Sequence, residues 1–496
     1  MGALSEQELA AFSADFNKND KNKIASRAAR RSGLFEASFN DEVSKRLNHT
    51  FSTELDIGGV TDQKHSGRCW EFATLNVLRH HFGKKYHVKD FTFSQAYNFF
   101  WDKIERANAF YDSMIRLAGK SIDDREVETW FNFAGQDGGL WQMAINLVKK
   151  YGVVPSYAMP ENATSNNTSA LIDSLARKER KDALVLRKLV QEGKLEEAEK
   201  AKKEFLNEVY RMAAVALGEP PKKFDLEYRD DDKKYHLEKD LTPRQFAEKY
   251  LKDFNWDDYV VLLNSPNYDY NKRYHQGLYD NVAGGTPITG LNVPIEVLAR
   301  AAAAQLKDGK AVIFGNDVLK QMERKTGFLD TELYKTDDLF SVDTQMSKAD
   351  RLATGEGSAT HDMTLVGVDE DNGEIRKWKV ENSWGDKYGH KGFYEMSQKW
   401  FEEYVYDVVV DKKYLSEDLV KLWSFPKLKI PHQSHADFCS TDTAGGLDNK
   451  KRRYAPRGGV AYRLFLWGFP KGATPPFGTR LCEAKCSVLY ALSALP

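Results

Sequence analysis

The chain has 496 residues, with 72 Lys and Arg against 73 Asp and Glu, a formal net charge of −1 and a hydrophobic fraction of 41%. That balance excludes a disordered polyampholyte and a disulfide-stapled mini-protein, and 28 Phe, 23 Tyr and 10 Trp supply apolar side chains for one large core or several smaller ones. No window nears the roughly 18 consecutive apolar residues of a membrane span, the N-terminus turns acidic at once, and the near-neutral charge removes the simplest electrostatic case for nucleic-acid binding; the expectation is a multi-lobed cytoplasmic protein with no membrane partner.

In chain order, Ser5-Glu6-Gln7-Glu8 has the form of a capping box before Leu9, Phe12 and Phe16, which predicts a short amphipathic helix in an N-terminal arm over 1–55. Phe72, Ala73, Leu75, Leu78 and Phe82 recur at spacings of three and four, so Cys69 should open a buried helix. A second apolar helix is predicted from Leu140 through Leu147, after the turn Asp137-Gly138-Gly139, and closes a helical lobe over 56–160. Residues 161–305 read as a mainly helical insertion. Its Leu195-Glu196-Glu197-Ala198-Glu199-Lys200-Ala201 stretch carries opposite charges three and four apart, as a solvated helix does. Strand-like runs follow at 311–314, 364–368, 378–380 and 406–410, with a turn at Asp371-Asn372-Gly373, and define a β-rich lobe over 306–418.

From about 419 the text changes. Residues 421–496 hold 12 Lys and Arg against 4 Asp and Glu, so the tail carries +8 and the first 420 residues −9. It also takes seven of the 15 prolines and three of the four cysteines (Cys439, Cys482, Cys486), and a shifted reading frame is one explanation of it. Cys482 and Cys486 suggest half of a metal site, but no second Cys/His pair lies near them. Asn48, Asn162, Asn166 and Asn167 head Asn-x-Ser/Thr triplets, which are bystanders in a cytoplasmic protein.

Cys69 is thus the one cysteine of the well-patterned region. A thiol on the first turn of a helix meets unpaired N–H groups and a partial positive charge, which favour thiolate. Gln63, six positions earlier in Gln63-Lys64-His65-Ser66-Gly67-Arg68-Cys69-Trp70, can join the Cys69 N–H in stabilising an oxyanion. A second block, Thr360-His361-Asp362-Met363, is followed after a hairpin by Glu381-Asn382-Ser383-Trp384-Gly385. Antiparallel pairing would bring His361 to Asn382, whose carbonyl can hold one imidazole nitrogen and leave the other as base, with Trp384 shielding the bond from water. His65 is a rival base only four residues from Cys69, but it lacks an orienting carbonyl.

With these blocks the chain resembles the papain-like cysteine peptidases, and most closely their intracellular bleomycin hydrolase branch, which includes the cysteine aminopeptidases of lactic acid bacteria. Asp137-Gly138-Gly139-Leu140-Trp141 is similar to that family's glycine pair, and Tyr151-Gly152-Val153 to the segment after its next helix. The resemblance spans about residues 5–418. It implies an α+β, two-lobed papain-like fold with a large helical insertion, and catalysis by Cys69, His361, Asn382 and Gln63. It also implies substrate binding at Gly138, Gly139, Trp70 and Trp384, with no metal or organic cofactor. The expected activity is aminopeptidase action on short peptides inside a homohexamer, with the chain's own C-terminus blocking the cleft; an altered tail makes endopeptidase activity the alternative. Nucleic-acid binding through Lys450 to Arg457 is a remote alternative, and the complete catalytic set argues against an inactive homologue. Ser66 stands where secreted relatives carry a disulfide cysteine, and Asp362 stands where a small residue follows the base; the latter either stabilises the His361 imidazolium or shapes a pocket.

Overall fold

The computed structural model describes residues 2–429, which all fall within one compact unit. The basic tail, with its three cysteines and the Lys450–Arg457 cluster, lies outside the described residues. Four helices form the N-terminal arm: α1 (Glu6–Lys18), α2 (Asp20–Ser32), α3 (Leu34–Ser38) and α4 (Glu42–Arg46). The predicted capping box is present: the Ser5 hydroxyl accepts from the Glu8 N–H and the Glu8 carboxylate accepts from the Ser5 N–H. The apolar residues of α1 remain exposed.

A short strand β1 (Thr53–Glu54) leads to α5 (Cys69–Tyr86), which is buried on all sides from Trp70 to Gly83 apart from His80 and His81. Such a helix runs through a core, not along it. It packs against α6 (Gln95–Arg116) and α8 (Trp141–Tyr151); α7 (Arg125–Phe133) lies between these two in the chain. Gly152 ends α8 at a positive φ of 80°, and a Cβ there would stand 2.2 Å from the Pro243 carbonyl oxygen.

The insertion begins with the hairpin of helices α9 (Ser169–Gln191) and α10 (Leu195–Leu217), both packed on α6. One stripe of the pair, including Leu175, Ala183, Leu186, Val209 and Ala213, joins the core of the first lobe; Glu179, Asp182 and Arg187 of α9 are buried beside it, while most other charged side chains stay in solvent. A two-stranded ribbon of β2 (Phe224–Arg229) and β3 (Tyr235–Leu241) and helix α11 (Pro243–Tyr250) complete it.

The expected insertion boundary at 305 is too late. From Tyr259 the chain is already in the main sheet: β4 (Tyr259–Leu263) pairs antiparallel with β13 (Val405–Asp411), and β5 (Lys272–His275) and β6 (Thr289–Asn292) extend that edge. These short strands carry little of the alternation that marks a longer one. Strands β7 (Val312–Asn316), β8 (Met322–Glu323), β9 (Phe328–Leu329), β10 (His361–Asp371), β11 (Glu374–Glu381), β12 (Phe393–Ser397) and β14 (Leu428–Lys429) complete the sheet, with β13 beside β7, then β10, β11 and β12 in turn.

Alternation along the central strands decides which face meets which core. Ile313, Val366 and Val409 point into the helical lobe, whereas Val312, Phe314, Leu365, Val368, Val408 and Val410 meet helix α12 (Ile295–Lys307), Trp378 and Trp400 on the other side. The turn between β10 and β11 is tight because Asn372 and Gly373 both take positive φ, 51° and 85°. No helix among the described residues is long and apolar enough to cross a membrane.

Candidate active site

The loop before Cys69 is held from three directions. Its Gln63 N–H donates to the Ser383 carbonyl at 2.8 Å, and the Ser383 hydroxyl donates to Gln63 Oε1 at 2.5 Å. The Gly67 N–H donates to Asp137 Oδ2 at 2.8 Å, an oxygen that also accepts from the Thr168 hydroxyl at 2.6 Å. Arg68, fully buried at the N-cap, forks onto the Glu161 carboxylate at 3.0 and 2.7 Å, reaches the Ser165 carbonyl, and lies between the rings of Phe72 and Phe99. Cys69 then opens α5, part-exposed, on the turn whose N–H groups have no partners within the helix.

Gln63 itself is buried, and its amide nitrogen donates one hydrogen to the Ser66 carbonyl at 2.7 Å. A primary amide has two such hydrogens, so the orientation of the second is fixed by the first.

His361 begins β10, along which α5 packs. Its Nε2–H donates to Asn382 Oδ1 at 2.9 Å, and that same oxygen accepts from the Ser383 N–H at 2.8 Å, which fixes the amide's orientation and, with it, the imidazole tautomer. The other ring nitrogen, Nδ1, is buried and has no hydrogen-bond partner. Trp384 covers the ring with centroids 4.9 Å apart. Burial lowers the His361 pKa to about 4, the Arg324 charge pushes the same way, and the Asn382 bond opposes both. The imidazole is therefore neutral at pH 7 and able to accept a proton at Nδ1.

The bonds between Gln63 and Ser383, 320 residues apart, join the segment before the thiol to the segment after the amide, so the two blocks form one site. The sequence pattern of the Peptidase C1-like family matches residues 3–432. The chain belongs to that family. It is 64% identical over 428 residues to Aminopeptidase E of Lactobacillus helveticus, covering 86% of this chain and 98% of that one, and 58% identical over 419 residues to Aminopeptidase W of Lactobacillus delbrueckii subsp. lactis, covering 84% and 96%. The crystal structure of PepW from Lactobacillus rhamnosis HN001 superposes with a TM-score of 0.84 at 42% identity, covering 86% of this chain and 98% of that one. The papain-like α+β fold, with its two lobes, is therefore that of a Peptidase C1-like protein.

Within this Peptidase C1-like site some expected residues take other places. Trp70 is fully buried: its indole N–H donates to the Asp137 carbonyl at 2.8 Å, and its ring backs Gly139, where a Cβ would come within 2.6 Å of it. It supports the glycine pair from beneath and does not face substrate. His65 is exposed, with its backbone paired to Asn166 and Thr168 and no ring partner among the described residues. The Gly138 carbonyl accepts from Arg106, which Asp102 holds through its Nε at 2.8 and 2.7 Å.

Asp362 lines a small pocket with Asp407, Leu140, Gln142, Gln276 and Thr289. Both carboxyls crowd Gly315, where a Cβ would stand 2.2 Å from Asp407 Oδ2 and 3.2 Å from Asp362 Oδ1. Burial raises both, Asp362 well above its ordinary value with the Asp407 charge pushing the same way, and Asp407 to about 7 against the opposing bond from the Gly315 N–H. Successive strand residues point to opposite faces, so Asp362 shapes this pocket and does not hold the imidazole.

Sequence reasoning missed the anchoring roles of Asp137, Arg106, Glu161, Arg324 and Asp407. For Arg106 there was a signal: Asp102, Lys103 and Arg106 interrupt a run of aromatic residues at helical spacing, as charges do when they are paired inside a core. The others depend on long-range contacts. Among the described residues no cluster of His, Cys, Asp and Glu has the arrangement of a metal site.

Proposed function

We propose that this chain is a cysteine aminopeptidase that removes N-terminal residues from short peptides, with Cys69 as nucleophile, His361 as general base and acid, Asn382 as its orienter, and Gln63 with the Cys69 N–H as oxyanion donors. The observation that carries this reading is the buried His361 ring, held by Asn382 through Nε2 and left with an unpartnered Nδ1. The Cys69 thiol gives its proton to Nδ1 and its sulfur attacks the peptide carbonyl. Two N–H groups receive the oxyanion, His361 returns the proton to the leaving amine, and the acyl group stays on sulfur as a thioester. Water, deprotonated by His361, attacks that thioester and releases the acid. The glycine pair Gly138-Gly139 receives the acyl half of the substrate, and Trp384 covers the side from which the amine departs.

The relatives named aminopeptidases, at 58–64% identity across nearly their whole length, support the substrate class. The reading includes a cytoplasmic location, supported by Ser66 in place of a disulfide cysteine. It also includes assembly into a hexamer of the bleomycin hydrolase type. That assembly is supported by the resemblance and by Leu9, Phe12 and Phe16 exposed on α1.

The test compares an aminoacyl-coumarinylamide with its N-blocked counterpart, and stoichiometric labelling by an epoxysuccinyl inhibitor in wild type and Cys69→Ala. The expected results are cleavage of the free amine in preference and labelling lost in the variant. Equal cleavage of the blocked substrate points instead to an endopeptidase, and absent labelling removes the thiol mechanism.

A further inference from the structure

Arg324 sits in the hairpin between β8 and β9, and its guanidinium lies against two rings of the segment that follows Asn382, 4.5 Å from the centroid of Trp384 and 4.3 Å from that of Tyr388. Its backbone is held as well. The Tyr394 hydroxyl donates to the Arg324 carbonyl, the Gly389 N–H donates to the Lys325 carbonyl at 3.1 Å, and the Glu395 N–H donates to Gly327 at 3.0 Å. Yet the guanidinium makes no hydrogen bond and no ion pair with any described residue. Neither Glu323, its neighbour in the chain, nor Asp386, in the same loop as both rings, pairs with it; the Glu323 carboxylate is spent on the Thr326 N–H and hydroxyl. A planar cation held by two aromatic faces keeps its N–H edge open and loses little freedom when a planar anion meets that edge.

The reaction sets which half of a peptide passes this group. His361 hands its proton to the departing amine, so the departing residue lies on the His361 side of the broken bond. Trp384 lies against the His361 ring, and the Arg324 guanidinium lies against Trp384, so the three form one continuous wall beside the base. The Arg324 charge also acts on His361 directly, by holding down its proton affinity.

We propose that Arg324 is a specificity-determining residue that receives a carboxylate carried by the first residue after the cleaved bond, so that the enzyme favours peptides with a negative charge there. This rests on the aminopeptidase reading above. Two sources share the chemistry: the free C-terminus of a dipeptide, and the side chain of Asp or Glu at that position.

The experiment measures kcat/KM for two substrate pairs in wild type, Arg324→Gln and Arg324→Glu. The first pair is an aminoacyl-alanine and its C-terminal amide. The second is an aminoacyl-aspartate amide and the matching asparagine amide. An aminoacyl-coumarinylamide, which has no carboxylate, reports the peptidase reading separately. Wild type should prefer the charged member of at least one pair by roughly three- to tenfold, mainly through KM, the range of a partly exposed charge-assisted contact. That ratio should fall to about one in Arg324→Gln and below one in Arg324→Glu. A preference in the first pair alone identifies the C-terminal carboxylate, and in the second alone the side chain. A residue that only props Trp384 would lower all substrates alike and leave the ratios intact. Equal use of both members by wild type, or a preference that survives Arg324→Gln, overturns the proposal. Failure to release coumarin overturns the peptidase reading, and this inference with it.

Discussion

The imidazole of His361 and the amide of Asn382, 21 residues apart in the chain, meet at 2.9 Å across the β10–β11 hairpin, and the Ser383 N–H holds the shared Asn382 oxygen. Without that oxygen the ring is free to turn about its side-chain bonds. Asn382→Ala should therefore lower kcat/KM for an aminoacyl-coumarinylamide by about 10- to 100-fold while leaving Cys69 open to slow alkylation, whereas Cys69→Ala should lose both. An Asn382→Ala enzyme of wild-type rate would remove the orienting role.

Arg68 is a stability prediction. Its guanidinium is wholly buried and its charge is balanced by Glu161, so removal of either partner strands the other. Glu161→Ala, which strands the fully buried guanidinium, should cost about 3–5 kcal/mol in urea unfolding, the range for breaking a buried pair, and Arg68→Ala somewhat less, because water still reaches Glu161. Arg68→Lys should recover little, because an ammonium cannot span both Glu161 oxygens and the Ser165 carbonyl.

Gly139 has no room for a methyl group. An added Cβ would stand 2.6 Å from the Trp70 ring and 3.0 Å from an Arg106 nitrogen, both themselves held. Gly139→Ala should cost about 1–3 kcal/mol by overpacking and, on the proposed reading that the glycine pair receives substrate, more than tenfold in kcat/KM. Thermal melts and kinetics on the same preparation separate the two effects.

The Asp362–Asp407 pair makes stability depend on pH. Both carboxyls bind protons more tightly folded than unfolded, Asp407 up to about 7, so between roughly pH 4 and pH 7 the folded state holds more protons and stability falls as pH rises. Asp407→Asn keeps an acceptor for the Gly315 N–H and removes one charge. Its unfolding free energy relative to wild type should be higher at pH 8 than at pH 5, by about 2–3 kcal/mol in urea unfolding. A constant difference across that range would show that the pair does not titrate with folding.

Much of the architecture was legible because it is written in periodicity. The α5 helix and its start at Cys69, the helix after Asp137-Gly138-Gly139, the Asn372-Gly373 turn and the central strands all follow from side-chain spacing and turn chemistry. The end of the insertion was misplaced because β4, β5 and β6 have four or five residues each and join the sheet only through long-range pairing. The substrate contact that the resemblance implies for Trp70 is not what the structure shows, because the side chain one residue after Cys69 turns into the core of the helical lobe.

The sequence by itself determined the chemistry: a thiol at a helix start, an imidazole and an amide on paired strands, and an amide ahead of the thiol, in an order that carried the family. It also set the break in charge near residue 420, close to where the family match ends at 432. What only the tertiary structure decided was electrostatic and steric surroundings. Proton affinity depends on burial and on charges brought in from elsewhere in the chain, so the neutral His361, the raised Asp362 and Asp407 carboxyls and the open guanidinium of Arg324 had no signature in local spacing.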